Sequence, residues 1–90
     1  MISDDRIEEI DSGIDKIRTE KPYDNHSDAI AALDWLAAAI NDVRKAVNAS
    51  EDTAAIARLQ DRIETMDRLH SSVAASIKRM EKKVPERHLE

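Results

Sequence analysis

The sequence predicts an all-α protein: an antiparallel helical hairpin with a third, N-terminal helix, forming either a three-helix bundle or a broken-arm coiled coil. Composition is the first reason. One Gly, two Pro and 37% charged residues stand beside abundant Ala, Glu, Lys, Arg and Ile, a mixture that favours long helices. The second is periodicity, because apolar residues recur at alternating steps of three and four along three stretches. The third is punctuation, since each stretch is bracketed by cap and breaker residues. A chain of 90 residues forms one domain. That domain is placed at 1–88, with helices at about 4–20, 27–48 and 51–84. Leu89-Glu90 resembles the remnant left before a purification tag.

Ser3 is placed to cap the first helix, with Asp4 and Asp5 behind it where the helix dipole favours carboxylates. Ile2 and Ile7 have the spacing of a hydrophobic staple. Ile7, Ile10, Ile14 and Ile17 make the apolar stripe. Gly13 interrupts it at a cost of about 1 kcal/mol against Ala. Pro22 ends the helix near Glu20 by forcing Lys21 out of helical geometry.

The second helix opens at Asn25 or Ser27 and stops near Asn48. Its stripe is Leu33, Leu36, Ile40, Val43 and Val47, widened by Ala29, Ile30 and Ala37. Ser50 is expected to cap the third helix, whose stripe runs Ile56, Leu59, Ile63, Met66, His70, Val73, Ile77, Met80 and Val84 before Pro85 ends it. Spacing that averages 3.5 residues keeps one seam against a partner.

The short turn near Ala49 makes the second and third helices antiparallel neighbours. A second helix of roughly 22 residues spans about 33 Å and covers the third from Glu51 to Ser72. Val73, Ile77, Met80 and Val84 are then left over, and a bare stripe of that kind needs a cover. In one arrangement the first helix extends outward and lies on the overhang, its Asp4, Asp5, Glu8 and Glu9 facing Lys78, Arg79, Lys82 and Lys83. In the other it folds back, and a second copy of the chain covers the overhang. The charge match favours the first arrangement; the thin core raises the expectation of a homodimer.

Trp35 stands about 120° from the centre of its helix's stripe at a period of 3.6 residues, with Ala31, Ala38, Ala39 and Ala46 on or beside that flank. Either it packs on the first helix, or it is a large anchor among small residues that admits a partner helix. His70 interrupts an aliphatic seam and reads as a seam-edge histidine, with Leu69 sharing the core position. The basic run of Lys78, Arg79, Lys82, Lys83 and Arg87 suits a solvated helix C-terminus. Asn25-His26-Ser27 and Asn48-Ala49-Ser50 match the glycosylation pattern but fall where caps are needed.

Several function classes are excluded. The chain has no Cys, hence no disulfide framework and no thiolate metal site. A net charge of −5 opposes nucleic acid and anionic lipid. No apolar run spans a membrane and no signal peptide opens the chain, so a cytoplasmic location is expected. No Gly-rich phosphate loop or His-Glu-x-x-His motif appears. No catalytic, cofactor-binding or metal-binding residue is therefore expected, and the protein is not expected to be an enzyme. The Ile–Asp rhythm of the first helix is similar to that of all-helical chorismate mutases, whose paired basic active-site residues have no counterparts here.

From Ala55 to Lys82 the chain resembles the C-terminal helix of type III secretion needle subunits at Leu59-Gln60, Ile63 and Lys78-Arg79-Met80. The Pro-rich turn of that family has no counterpart between Ala49 and Thr53. The resemblance implies a helical hairpin that polymerises. The residues themselves point first to a module that binds another protein, itself included as a homodimer, through helix packing. Its contact residues are expected among Trp35, Ala31, Ala38, Ala39, Asp4, Asp5, Glu8, Glu9, Val73, Ile77 and Met80. An alternative is a small acidic inhibitor, phage-borne for instance, whose Asp4, Asp5, Glu8, Glu9, Asp11 and Asp15 occupy a basic nucleic-acid-binding surface on its target.

Overall fold

A computed structural model describes the backbone of residues 2–88 and the side chains of residues 2–81. Three helices follow in order: α1 (Asp4–Glu20), α2 (His26–Ala49) and α3 (Thr53–His88). Among the described residues there is no strand. The body measures 58 × 21 × 15 Å, and its long axis is set by α3, whose 36 residues span about 54 Å.

The helix starts follow from side chains that satisfy free backbone donors. Ser3 accepts from the Arg6 N–H at 3.1 Å, and Asn25 accepts from the Asp28 N–H at 3.2 Å. Ile2 and Ile7 both pack on the core, as a staple requires. Lys21 is extended, with ψ of 153°, so α1 ends where Pro22 requires.

The third cap differs from expectation. Asp52, not Ser50, starts α3: its Oδ1 accepts from the N–H groups of Ala54 and Ala55. Ser50 Oγ accepts the Asp52 N–H instead, and the Ser50 backbone N–H closes α2 on the Val47 carbonyl. Pro85 does not end α3, which continues to His88. An interior proline lacks the ladder N–H and crowds the carbonyl four residues back, which weakens or kinks a helix, but the donors after it can still reach carbonyls one turn back.

These shifts matter for coverage. α2 has 24 residues and α3 starts only at Thr53, which moves the reach of α2 about one turn further along α3. Arg44 lies near Asp67, and His26 lies 3.7 Å from Glu81. The expected overhang is thereby corrected: Val73 is wholly buried, Ile77 is 7% exposed and Met80 is half-buried against the core. Val84 and the basic side chains of Lys82, Lys83 and Arg87 lie outside the described residues.

The favoured placement of α1 is also corrected. α1 folds back onto the hairpin, antiparallel to α2. The Arg6 guanidinium donates to Asp42 at 2.7 Å, while Gly13, further along, meets Trp35 near the other end of α2. Arg62 grips Asp11 from α3 through Nε and a terminal nitrogen, at 2.8 and 3.0 Å. Magnitudes explain the outcome. Exposed charge pairs with Lys78 and Arg79 would give about 0–1 kcal/mol each. Folding back buries Ile10, Ile14 and Ile17 in the same core as Ala32, Ala39 and Ala46, and each large aliphatic buried gives about 1.5–3 kcal/mol. The small alanines leave room on that side of α2 for the α1 isoleucines.

The resulting core is continuous. Ile10, Leu36, Val43, Met66 and Val73 are its largest fully buried side chains. Leu69 is buried and His70 half-buried, so the leucine holds the seam and the histidine its edge. Ile30 departs from its expected core role: at 37% exposure it is the exposed large hydrophobic side chain among the described residues.

Candidate interaction surface between α1 and α2

Trp35 fixes the geometry of this corner. It leaves the α2 stripe on the side of α1, and its ring lies against the backbone of Gly13. A Cβ built at Gly13 would stand 2.2 Å from Cη2 and Cζ2 of Trp35. Gly13 thus supplies the hollow into which the indole fits. Trp35 is nonetheless only half-buried. One edge of it lines an open groove of about 540 Å³ between the C-terminal half of α1, the linker and the first turns of α2.

The groove has an apolar floor that includes Ile17, Ala31 and Ala32, and both aromatic residues of the chain, Tyr23 and Trp35, line it. Charge is gathered at its rim: Glu20, Asp24 and Asp28 on one side of the balance, Lys16 on the other. Tyr23 donates to Glu20 at 3.1 Å. Burial of the phenol, helped by this bond and by the charges of Glu20 and Asp28, pushes its pKa from 10.0 up to about 12.

A raised phenol pKa means that the folded state holds the proton more tightly than the unfolded chain. The stabilisation is fully present below pH 10 and is lost as pH climbs toward 12. Tyr23 is the only tyrosine, so alkaline titration of tyrosinate absorbance reads it alone. The expected midpoint lies well above that of a free tyrosine; a midpoint near the free value would remove this contact.

The other expected contact residues separate into three groups. Ala31 and Ala38 are exposed beside Trp35, whereas Ala39 is fully buried. That corrects its place among the contact residues: it faces α1, where a small side chain is needed. Asp4, Asp5, Glu8 and Glu9 are all exposed on α1, with Glu9 paired to Arg6. Val73 and Ile77 are interior, so they are corrected from surface to core, and Met80 is a partly covered edge.

Reading the sequence missed two members of this surface. Gly13 reads in the sequence as a helix cost, although a glycine seven residues into an isoleucine stripe can also mark a close approach. Ile30 is expected in the core, yet it is 37% exposed on the flank of α2 away from Trp35. Among the described residues no group of three or more His, Asp or Glu gathers as a metal site, and no helix is long and apolar enough to cross a membrane. No protein-family model, curated protein or solved structure matches this chain.

Proposed function

We propose that this chain is a small, non-catalytic protein-interaction module of the cytoplasm that works by helix packing. The outer face of the first half of α2 carries the proposal. Ala31 and Ala38 are exposed there beside half-exposed Trp35, Ile30 and Ala37 are exposed on the flank away from it, Asp34 lies between the two flanks and Asp28 stands next to Trp35. Large inward-facing residues are satisfied within the chain, so an uncovered apolar face is what remains for a partner. Small side chains on it would let another helix approach closely, with Trp35 as the anchor. A second copy of the chain is one such partner, and it would not meet Val73 and Ile77, which are covered within the chain.

Two exposed substitutions test the reading, since neither should change stability by more than about 0.5 kcal/mol. Ala38→Arg places a long cation on the α2 face; Arg68→Glu alters an exposed site on α3. A partner retained by the unmodified protein in cell extract is expected to be retained by R68E and lost by A38R. Equal capture by both variants would exclude the α2 face.

A second reading, the acidic inhibitor, is favoured by one observation. Asp4, Asp5, Glu8 and Asp15 stand exposed along α1, although Arg6 and Arg62 already engage Glu9 and Asp11. Contacts made by those carboxylates to a basic target would weaken steeply with salt, whereas packing on the alanine face would not. A needle-like polymer would need outer faces of the hairpin, because α1 occupies the groove between α2 and α3.

A further inference from the structure

We propose that the groove beside Trp35 receives a basic side chain, arginine or lysine, projecting from an amphipathic helix of a partner protein. This rests on the reading of α2 as an interaction face and specifies the chemistry of what that face meets. The groove and the face are continuous, since Ala31 belongs to both. A helix lying along Ala31 and Ala38 would therefore carry one of its side chains into the groove.

The lining selects the sign of that side chain. Glu20, Asp24 and Asp28 outnumber Lys16, so at neutral pH the rim is net negative and a phosphate or carboxylate is repelled. A purely aliphatic side chain would cover these carboxylates without pairing them, which costs free energy. A guanidinium or ammonium pairs with them, and its apolar stem can lie along the edge of the Trp35 indole and the Tyr23 ring that line the groove. Its methylene stem suits the floor of Ile17, Ala31 and Ala32. Both aromatics and three carboxylates thus converge on one open hollow beside an uncovered apolar face, the composition expected for a cation on an apolar stem.

Trp35 is the only tryptophan and reports directly on this groove by its fluorescence. The probes are an 18-residue helical peptide of Leu, Ala and Arg and the same peptide with every Arg replaced by Gln. The expected result is a saturable change of emission with the Arg peptide, at least tenfold weaker with the Gln peptide. Binding of the Arg peptide should also fall at least tenfold in the variant carrying Glu20→Gln, Asp24→Asn and Asp28→Asn, its fold checked by thermal unfolding. A control carrying Asp4→Asn, Asp5→Asn and Glu8→Gln loses the same formal charge away from the groove and should bind as before.

Equal binding of both peptides overturns the proposal while leaving the α2 face as an apolar docking site. Equal loss in the groove variant and the control overturns it by showing attraction to net charge alone. Loss in the control only overturns it in favour of the α1 carboxylates. Failure of the Arg peptide to bind at millimolar concentration also overturns it, and the α2 face is then judged by the A38R capture experiment alone.

Discussion

Replacing Gly13 with alanine is expected to destabilise the protein by about 1–2 kcal/mol, the opposite of what helix propensity dictates. On an exposed helical site the change would gain up to about 1 kcal/mol. Here the new methyl would stand 2.2 Å from two ring carbons of Trp35, and even Cε2 would be only 3.0 Å away. Overpacking of this kind costs about 1–3 kcal/mol, so steric cost outweighs propensity. The indole cannot retreat inward, because Leu36 and Ala39 beside it on α2 are fully buried; it must swing toward the groove. G13A should therefore also shift Trp35 emission to the red and make it easier to quench. The decisive control is a double-mutant cycle. In a Trp35→Ala background the clash is gone, and the same Gly13→Ala change should become stabilising. Thermal unfolding of the four proteins gives both signs, and a stabilising G13A in the unmodified background would contradict the contact.

The same pair shows where the sequence was legible and where it was not. Helix number, order and inward faces follow from repeats that local geometry enforces: Ile10, Ile14 and Ile17 bury because their spacing leaves them no other common face. Ser3, Asn25 and Pro22 punctuate the chain as their chemistry requires. Side-to-side choices between helices were not legible, because they turn on small differences. A one-turn change in the reach of α2, set by Asp52 winning the cap from Ser50, decides whether Val73 is surface or core. The placement of α1 turns on burial of its isoleucines with alanines that matter because they are small, which outweighs the carboxylate–lysine pairs that are easier to see in a sequence. The groove was invisible for a related reason: Tyr23, Asp24, Asp28 and Gly13 come together only once α1 has folded back.

Val73→Asp is expected to abolish cooperative folding at 25 °C, and it tests directly whether Val73 is core within a single chain. Val73 is 0% exposed within a single chain. An aspartate there would be a buried carboxylate among aliphatic side chains of the core. Leaving a charge unpaired in such a place costs several kcal/mol even after the group takes up a proton. At about 0.05–0.15 kcal/mol per residue, a chain of 90 residues has about 5–13 kcal/mol in all, so one substitution consumes much of it. Ile30→Asp makes the complementary case: on the exposed face of α2 the same charge remains in water and should leave stability within about 0.5 kcal/mol. Had Val73 belonged to an overhang covered only by a second copy, V73D would give a folded monomer and lose only self-association. Here it should lose helical circular dichroism at every protein concentration. The milder Val73→Thr keeps the shape but brings a hydroxyl into the core. Its cost of about 1–3 kcal/mol should appear as a Tm lower by roughly 4–8 °C per kcal/mol for a domain of this size. Because the core is shared by all three helices, that drop should be independent of protein concentration. A Tm that recovers as concentration rises would place Val73 back at an interface between chains.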